Sequence, residues 1–377
     1  MRLGRAGMSI DSAEWPMALQ GGARLVVAGV ARWNHKVVAA MLREIDARPR
    51  MVPSIADGLA IAADEGRTLI AWAAKLSAAD ELRAAAAGIS VVRIEDGFLR
   101  SVGLGAGLVP GACFALDGRG IHYDARRPSD LEHLLVHTDV SPEEARRGAN
   151  LVRLIAANRI SKYNLAGRPL RLVTPSGRLR ILVPGQVADD AAVRCTISAS
   201  IDPTCENINL ALLRAVRRRH PAAFIVYKPH PDVAHGLRSG HVLPHELREV
   251  ADAVATDANI LELIDACDSV ETLSSLTGFE ALIRGKRVTV HGAPFYAGWG
   301  LTEDLTKLPR RGRRRTLAEL AYLSLVRYCR AVDPESLEPL SCERLIERLA
   351  EMRARPEQRA LTATRMRLSW LGHRLGF

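Results

Sequence analysis

The sequence predicts an α/β protein built from two doubly wound halves that face each other across a cleft. Three observations predict it: two tandem series of short apolar runs alternating with helical stretches, a turn-rich interruption between them, and chemistry-bearing residues gathered where the apolar runs end. A chain of 377 residues is also longer than one average core fills, so two domains are expected on size alone.

The first series, assigned to residues 22–172, holds LVVAGV (25–30), TLIAWAA (68–74) and VVRIED (91–96), with an Ala-rich helix at 78–87 between the last two. Gly88 follows that helix, where a left-handed residue ends the last turn. Charged helices are expected around 129–136 and 141–155. The stretch AGRPLRLVTPSG (166–177) has two prolines and a glycine near each end, and reads as the linker. The second series, residues 178–315, reads RILVPG, a helix at 207–219, FIVYKPHPD, a helix at 259–267, SVETLSS, a helix at 278–284 and RVTVHG. Its apolar runs are short and unalternating, as in parallel strands covered on both faces. Two such halves fit a GT-B pair of Rossmann-like domains with an interdomain cleft. Residues 316–352 are helical in pattern and are expected to form a helical C-terminal appendage across the halves, followed by a basic amphipathic tail at 353–377.

Composition limits the function classes. Hydrophobic residues at 48% and charged residues at 25% exclude a disordered or collagen-like chain. A net charge of +10 calls for an anionic partner, and with aromatics at only 5% a base-stacking nucleic-acid surface is not expected. Six cysteines without a C-x-x-C pair argue against a zinc site or a disulfide framework and for reduced thiols. No signal-peptide core or membrane span is legible, so a cytoplasmic protein is expected. The tail sets Arg353, Arg355, Arg359, Arg365, Arg367 and Arg374 against Glu357 alone, among Leu361, Trp370, Leu371 and Phe377. That mixture suits an interfacial helix on anionic lipid, and so a peripheral place on an anionic membrane surface. RRGRRR (310–315) is the other basic concentration.

In open α/β sheets ligands collect at the carboxyl ends of strands, and the candidate residues fall there. EDGFLRSVGLG (95–105) joins Glu95 and Asp96 to a loop carrying Arg100; the ordinary alternative is an Asp bonding its own turn. VPGQVADD (183–190) places Asp189 and Asp190 where a carboxylate can serve as a covalent nucleophile or, more commonly, as a helix cap. YKPHPD (227–232) presents Lys228 and His230 on a loop stiffened by two prolines, suited to a phosphate. In SSLTGFEALIRGK (274–286), Ser275 and Thr277 offer hydroxyl donors and Glu280 an acceptor for ribose hydroxyls, or else the spacing is an ordinary capping box. GAPFYAGWGLTED (292–304) can lie under a flat base or sugar, or pack between domains.

Taken together, EDGFLRSVGLG, GIHYDARRPSDLE, SKYNL, VPGQVADD, YKPHPDV, TLSSLTGFEALIRGK and PFYAGWGLTED resemble the capsule-polysaccharide β-Kdo transferases of the KpsC type, in block order and approximate spacing. The resemblance is to the second of the two modules usually fused in that family. It implies a retaining enzyme without metal or cofactor, using CMP-β-Kdo as donor substrate and a Kdo-containing glycolipid as acceptor. It places the nucleophile on Asp190, CMP contacts on Lys228, His230, Ser274, Ser275, Thr277 and Glu280, and the acceptor-side motif on Glu95, Asp96 and Arg100. Arg100, Lys162 and Gln186 are assigned to substrate binding, and Glu95 or Asp96 assists the acceptor hydroxyl. One module implies a companion Kdo transferase for any alternating linkage. Glu271 stands where the family often has His, which puts one donor contact in question. The rival readings are a GT-B transferase for another nucleotide sugar and a noncatalytic polysaccharide assembly or export subunit.

Overall fold

The computed structural model describes residues 15–104, 108–165, 174 and 176–355. The strands are β1 Leu25–Ala28, β2 Arg50–Val52, β3 Thr68–Trp72, β4 Val91–Asp96, β5 Cys113–Asp117, β6 Arg180–Pro184, β7 Phe224–Lys228, β8 Ala253–Val254, β9 Ser269–Thr272, β10 Arg287–Val290, β11 Glu303–Asp304, β12 Cys329–Val332 and β13 Pro339–Leu340. They form two sheets, ordered β13-β12-β5-β4-β3-β1-β2 and β11-β10-β9-β6-β7-β8. In the first, β1 to β4 run parallel and β5, β12 and β13 pair antiparallel; the second is parallel throughout. This is the GT-B arrangement of two Rossmann-like sheets.

Local chemistry explains the element ends. Ser77 and Asp80 close a reciprocal capping box on the helix Ala78–Ala86, and Ser141 and Glu144 do the same for Pro142–Ala157. Gly88 is left-handed at φ +66°, as its place after the helix predicts. β1, β5 and β7 are buried along their whole length, which is why their sequences do not alternate.

The stretch expected to be a helical appendage, 316–352, is helical only in part. Helix Leu317–Tyr322 continues into a π-helical turn, Leu323–Tyr328, and the chain then extends as β12 and β13 before the helix Cys342–Ala354, the last among the described residues. The physical reason is the open edge of β5. β12 pairs with it, Cys329 opposite Ala115 and Ala331 opposite Cys113, and so satisfies backbone groups that a helix would leave exposed. Tyr328 adds a hydrogen bond to Asp117 at 2.9 Å. The helix Leu317–Tyr322 meanwhile packs on Pro142–Ala157 so closely that a Cβ on Gly148 would lie 2.0 Å from the Ala318 carbonyl oxygen.

One apolar cluster runs through both halves, joining Phe98 and Leu151 to Val226, Val270, Phe295 and Trp299. The basic segment at 310–315 reinforces it. Arg310 and Arg311 both hold Glu132, at 2.7 and 2.9 Å, Arg313 holds Asp139, and Arg315 donates to the Leu135 and Thr138 carbonyls. This concentration of arginine is an internal strap. Residues 166–173 and 175 of the expected linker, and 356–377 of the expected tail, lie outside the described residues. Among the described residues no helix is long and apolar enough to cross a membrane.

Candidate active site

A cavity of about 1010 Å³ lies between the sheets, lined from the ends of β4 and β6, the loops after β7 and β8, and the turn after β9. Glu95 and Asp96 form its floor on the first half. Burial pushes the Glu95 carboxyl up to about 8, helped by the neighbouring Asp96 charge and opposed by the Asp96 amide, which donates to Glu95 Oε1 at 3.1 Å. Glu95 is therefore protonated at neutral pH. Asp96 takes the Arg100 Nε at 2.6 Å on Oδ2, while its Oδ1 is buried without a partner among the described residues.

Arg100 stands behind the cavity wall rather than in it. Its guanidinium is buried, is not part of the cavity lining, and is used up by Asp96, the Ser101 hydroxyl at 2.8 Å and the Val109 carbonyl at 3.1 Å. A buried guanidinium must find such partners, and the loop it organises supplies them. Lys162 does line the cavity, with its ammonium 5.3 Å from the Tyr163 ring centre. Burial works against its charge, but Tyr163, Asp96, Asp190 and Glu95 together push its pKa up.

Across the cavity, Asp190 is the N-cap of the short helix Ala191–Arg194, its Oδ1 accepting the Ala192 amide at 2.8 Å. Capping and cavity lining are thus held by one residue. Asp189 turns to Arg238 at 3.1 Å and the Ser239 hydroxyl at 3.0 Å, and its carboxyl is held low by those partners against a burial effect that would raise it. Gly185 precedes them because a Cβ there would meet the Tyr227 hydroxyl at 2.7 Å. Gln186 is spent on architecture: Nε2 donates to Ser274 Oγ at 2.9 Å and Oε1 accepts the Ser274 amide at 2.9 Å. One donor and the acceptor oxygen of this amide are taken by protein, in a splice between the β6 and β9 loops, and the residue is also part of the cavity lining.

The cationic side is formed by the loop after β7. Lys228 donates to the Thr256 carbonyl at 2.5 Å, and burial lowers its pKa against the opposing pull of Asp257. His230 accepts the Asp232 amide on Nδ1 at 3.2 Å, which leaves Nε2 as the protonated nitrogen; burial lowers its pKa while Asp232 and Asp190 oppose. Ser275 Oγ accepts the Thr277 amide at 3.2 Å. The capping box read as an alternative for this segment is not formed, since Leu276 occupies the cap and Glu280 instead accepts the Lys162 amide at 2.9 Å. Glu280 so joins the halves, and burial raises its pKa.

Glu271 lies away from the cavity lining, buried between His220 at 2.5 Å and His291 at 3.2 Å. The loop at 292–304 is chiefly packing: Phe295, Tyr296 and Trp299 are buried, and Phe295 stacks on Phe98 at 4.2 Å. Sequence reasoning missed His122 and Tyr123, which line the cavity on the first half. Their signal was the HYD run just after the β5 turn.

Residues 68–170 and 156–331 match the family model described as capsule polysaccharide biosynthesis protein. The capsule polysaccharide modification protein LipA of Neisseria meningitidis serogroup B is 38% identical over 320 residues, 85% of this chain and 44% of LipA. The lipopolysaccharide-processing protein LpsZ of Rhizobium meliloti is 42% identical over 247 residues, 64% of this chain and 55% of LpsZ. The chain thus spans about half the length of these relatives. Two Thermosulfurimonas dismutans KpsC structures, described as a β-Kdo 2,7 transferase and a β-Kdo 2,4 transferase, are each 31% identical. They superpose with TM-scores of 0.70 and 0.72 over 87% of this chain and 99% and 98% of theirs.

Proposed function

Because the chain belongs to the capsule polysaccharide biosynthesis family, we propose that it is a retaining β-Kdo glycosyltransferase, moving Kdo from CMP-β-Kdo to a Kdo-bearing glycolipid in the linker of a surface polysaccharide. The observation that carries this reading is the meeting, in one cavity, of the protonated Glu95 and of Asp190 with a carboxylate oxygen to spare.

In the first displacement Asp190 Oδ2 bonds to the anomeric carbon, the bond from that carbon to the phosphate oxygen breaks, and CMP leaves. Lys228, His230 Nε2 and the hydroxyls of Ser275 and Thr277 receive the leaving phosphate, fixed donors in the role a metal ion has in other transferases. Ser274 and Glu280 hold the walls around them. In the second displacement the acceptor hydroxyl oxygen bonds to the same carbon, the ester to Asp190 breaks, and the proton passes to Glu95 in the ionised form, which has first lost its own proton to solvent and becomes more populated as pH rises toward 8. Two inversions leave the configuration retained. Lys162, set among Asp96, Asp190 and Glu95, holds the Kdo carboxylate, and Asp96 with Arg100 fixes the acceptor loop. The basic tail at 353–377 docks the enzyme on anionic lipid, where a companion transferase adds any alternating linkage.

Incubation with CMP-Kdo and a synthetic Kdo-lipid tests the reading. A product heavier by one Kdo residue, β-linked by NMR, is expected. Failure to release CMP, or release from a UDP-sugar instead, overturns it.

A further inference from the structure

The charged groups of the cavity are accounted for by donor and chemistry, but one polar side chain of its first-half wall is not. His122 lines the cavity, yet its Nδ1 is enclosed with no hydrogen-bond partner among the described residues. Its ring is held edge-on by aromatics from both halves: Phe98 at 4.9 Å and 70°, Tyr123 at 5.4 Å and 80°, and Phe295 at 6.3 Å and 89°. A ring needed only to fill this space would be better as Phe, because a buried nitrogen without a partner carries a desolvation penalty. A ligand hydroxyl in the cavity would supply the missing partner.

We infer that His122, with Tyr123 beside it, binds a hydroxyl of the acceptor sugar through an uncharged hydrogen bond, an inference that rests on the transferase reading above. Position supports the acceptor over the donor: both residues come from the half that carries Glu95, whereas the phosphate donors come from the other. Charge supports it too. Burial and the nearby Lys162 push the imidazole down to about 3, so it is neutral wherever the enzyme works, and burial followed by the Glu95 charge raises the Tyr123 phenol. Two neutral groups do not compete for the donor's carboxylate or phosphate. They discriminate by hydrogen bonding to a hydroxyl, the kind of contact whose loss leaves buried polar groups unpaired and so gives strong selectivity.

The test uses His122→Phe, which keeps the ring contacts without nitrogen, and His122→Gln, which restores a hydrogen-bonding group. Calorimetry with CMP and with a soluble Kdo glycoside is run on each, beside thermal unfolding. His122→Phe is expected to unfold near the parent temperature, bind CMP as the parent does, and bind the glycoside about tenfold more weakly, with KM for it raised alike. His122→Gln recovers part of the loss, and glycoside affinity of the parent is flat from about pH 5 to 7, across the range where an ordinary His titrates. Equal glycoside affinity in parent and His122→Phe overturns the inference, as does a matching loss of CMP affinity. A parent that binds CMP but no glycoside also counts against it, whereas one that binds the glycoside but not CMP faults the transferase reading instead. If the parent binds neither, both fall.

Discussion

Asp190 gives one carboxylate oxygen to the Ala192 amide at 2.8 Å and lines the cavity with the same side chain. Cap and nucleophile can therefore be separated by substitution. Asn caps as well as Asp but cannot attack a carbon. Asp190→Asn should keep the parent's thermal unfolding and CMP affinity and lower transfer by roughly 10³-fold or more. Mass spectrometry of the parent with CMP-Kdo alone should show a Kdo adduct on Asp190. Asp189→Asn, whose carboxylate is turned to Arg238, should stay active.

Glu95 sets the pH dependence. A base must be ionised to take the acceptor proton, and burial holds this carboxyl protonated until about pH 8. The transfer rate should climb with pH and level off above that value. Glu95→Gln should transfer roughly 10²–10⁴-fold more slowly, with no pH limb, while still binding CMP; an unchanged limb in the variant would move the base to another group.

The same residue predicts a stability change of definite sign. The unfolded chain releases this proton near its ordinary value of 4.5, the folded chain only near 8, so the folded state loses stability as pH rises between the two. Glu95→Gln removes the buried charge. It should unfold at higher denaturant than the parent at pH 9, by roughly 1–3 kcal/mol, with little difference at pH 4.

Lys228 and His230 should matter to the nucleotide and not to the fold. Each alanine variant is expected to weaken CMP binding by about 1.5–3 kcal/mol, the usual worth of a hydrogen bond to a charged group. Calorimetry that found both unchanged would remove the phosphate from this loop.

Glu132 is shared by Arg310 and Arg311, with Arg311 and Glu132 side chains 5% and 8% exposed. Glu132→Ala strands a buried guanidinium and should cost about 3–5 kcal/mol in equilibrium unfolding. Loss confined to under 1 kcal/mol would mean the strap is only a surface feature.

Much of the fold was legible because parallel strands covered on both faces write themselves as short apolar runs, and because Ser77, Ser141 and Gly88 mark helix ends in residue types with one dominant use. Candidate site residues were legible for a related reason: a doubly wound sheet delivers strand ends to one cleft, so Glu95, Asp190, Lys228 and His230 were found by position. What sequence hid depends on distant partners. β12 is a strand only because β5, paired with β4 on one side, has an open edge on the other, and RRGRRR is a strap only because Glu132 and Asp139 wait for it. Arg100 and Gln186 carry groups typical of ligand contacts, and nothing local says that Asp96 and Ser274 have already claimed them. His122 looked like part of a loop motif, since its interest lies in a nitrogen that burial leaves without a partner.

The pairing of β12 with β5 also imposes an order on birth. Tyr328, at the threshold of β12, meets Asp117 at the end of β5 across 211 positions. A ribosome adding about 5–20 residues per second needs roughly 10–40 s to cover that distance. Throughout this interval the nascent first sheet has an unfinished border, a template for pairing with another chain. The half made first is completed last, so a chain cut short before Cys329 should emerge as an aggregate or a chaperone client, even with every strand of its second sheet present.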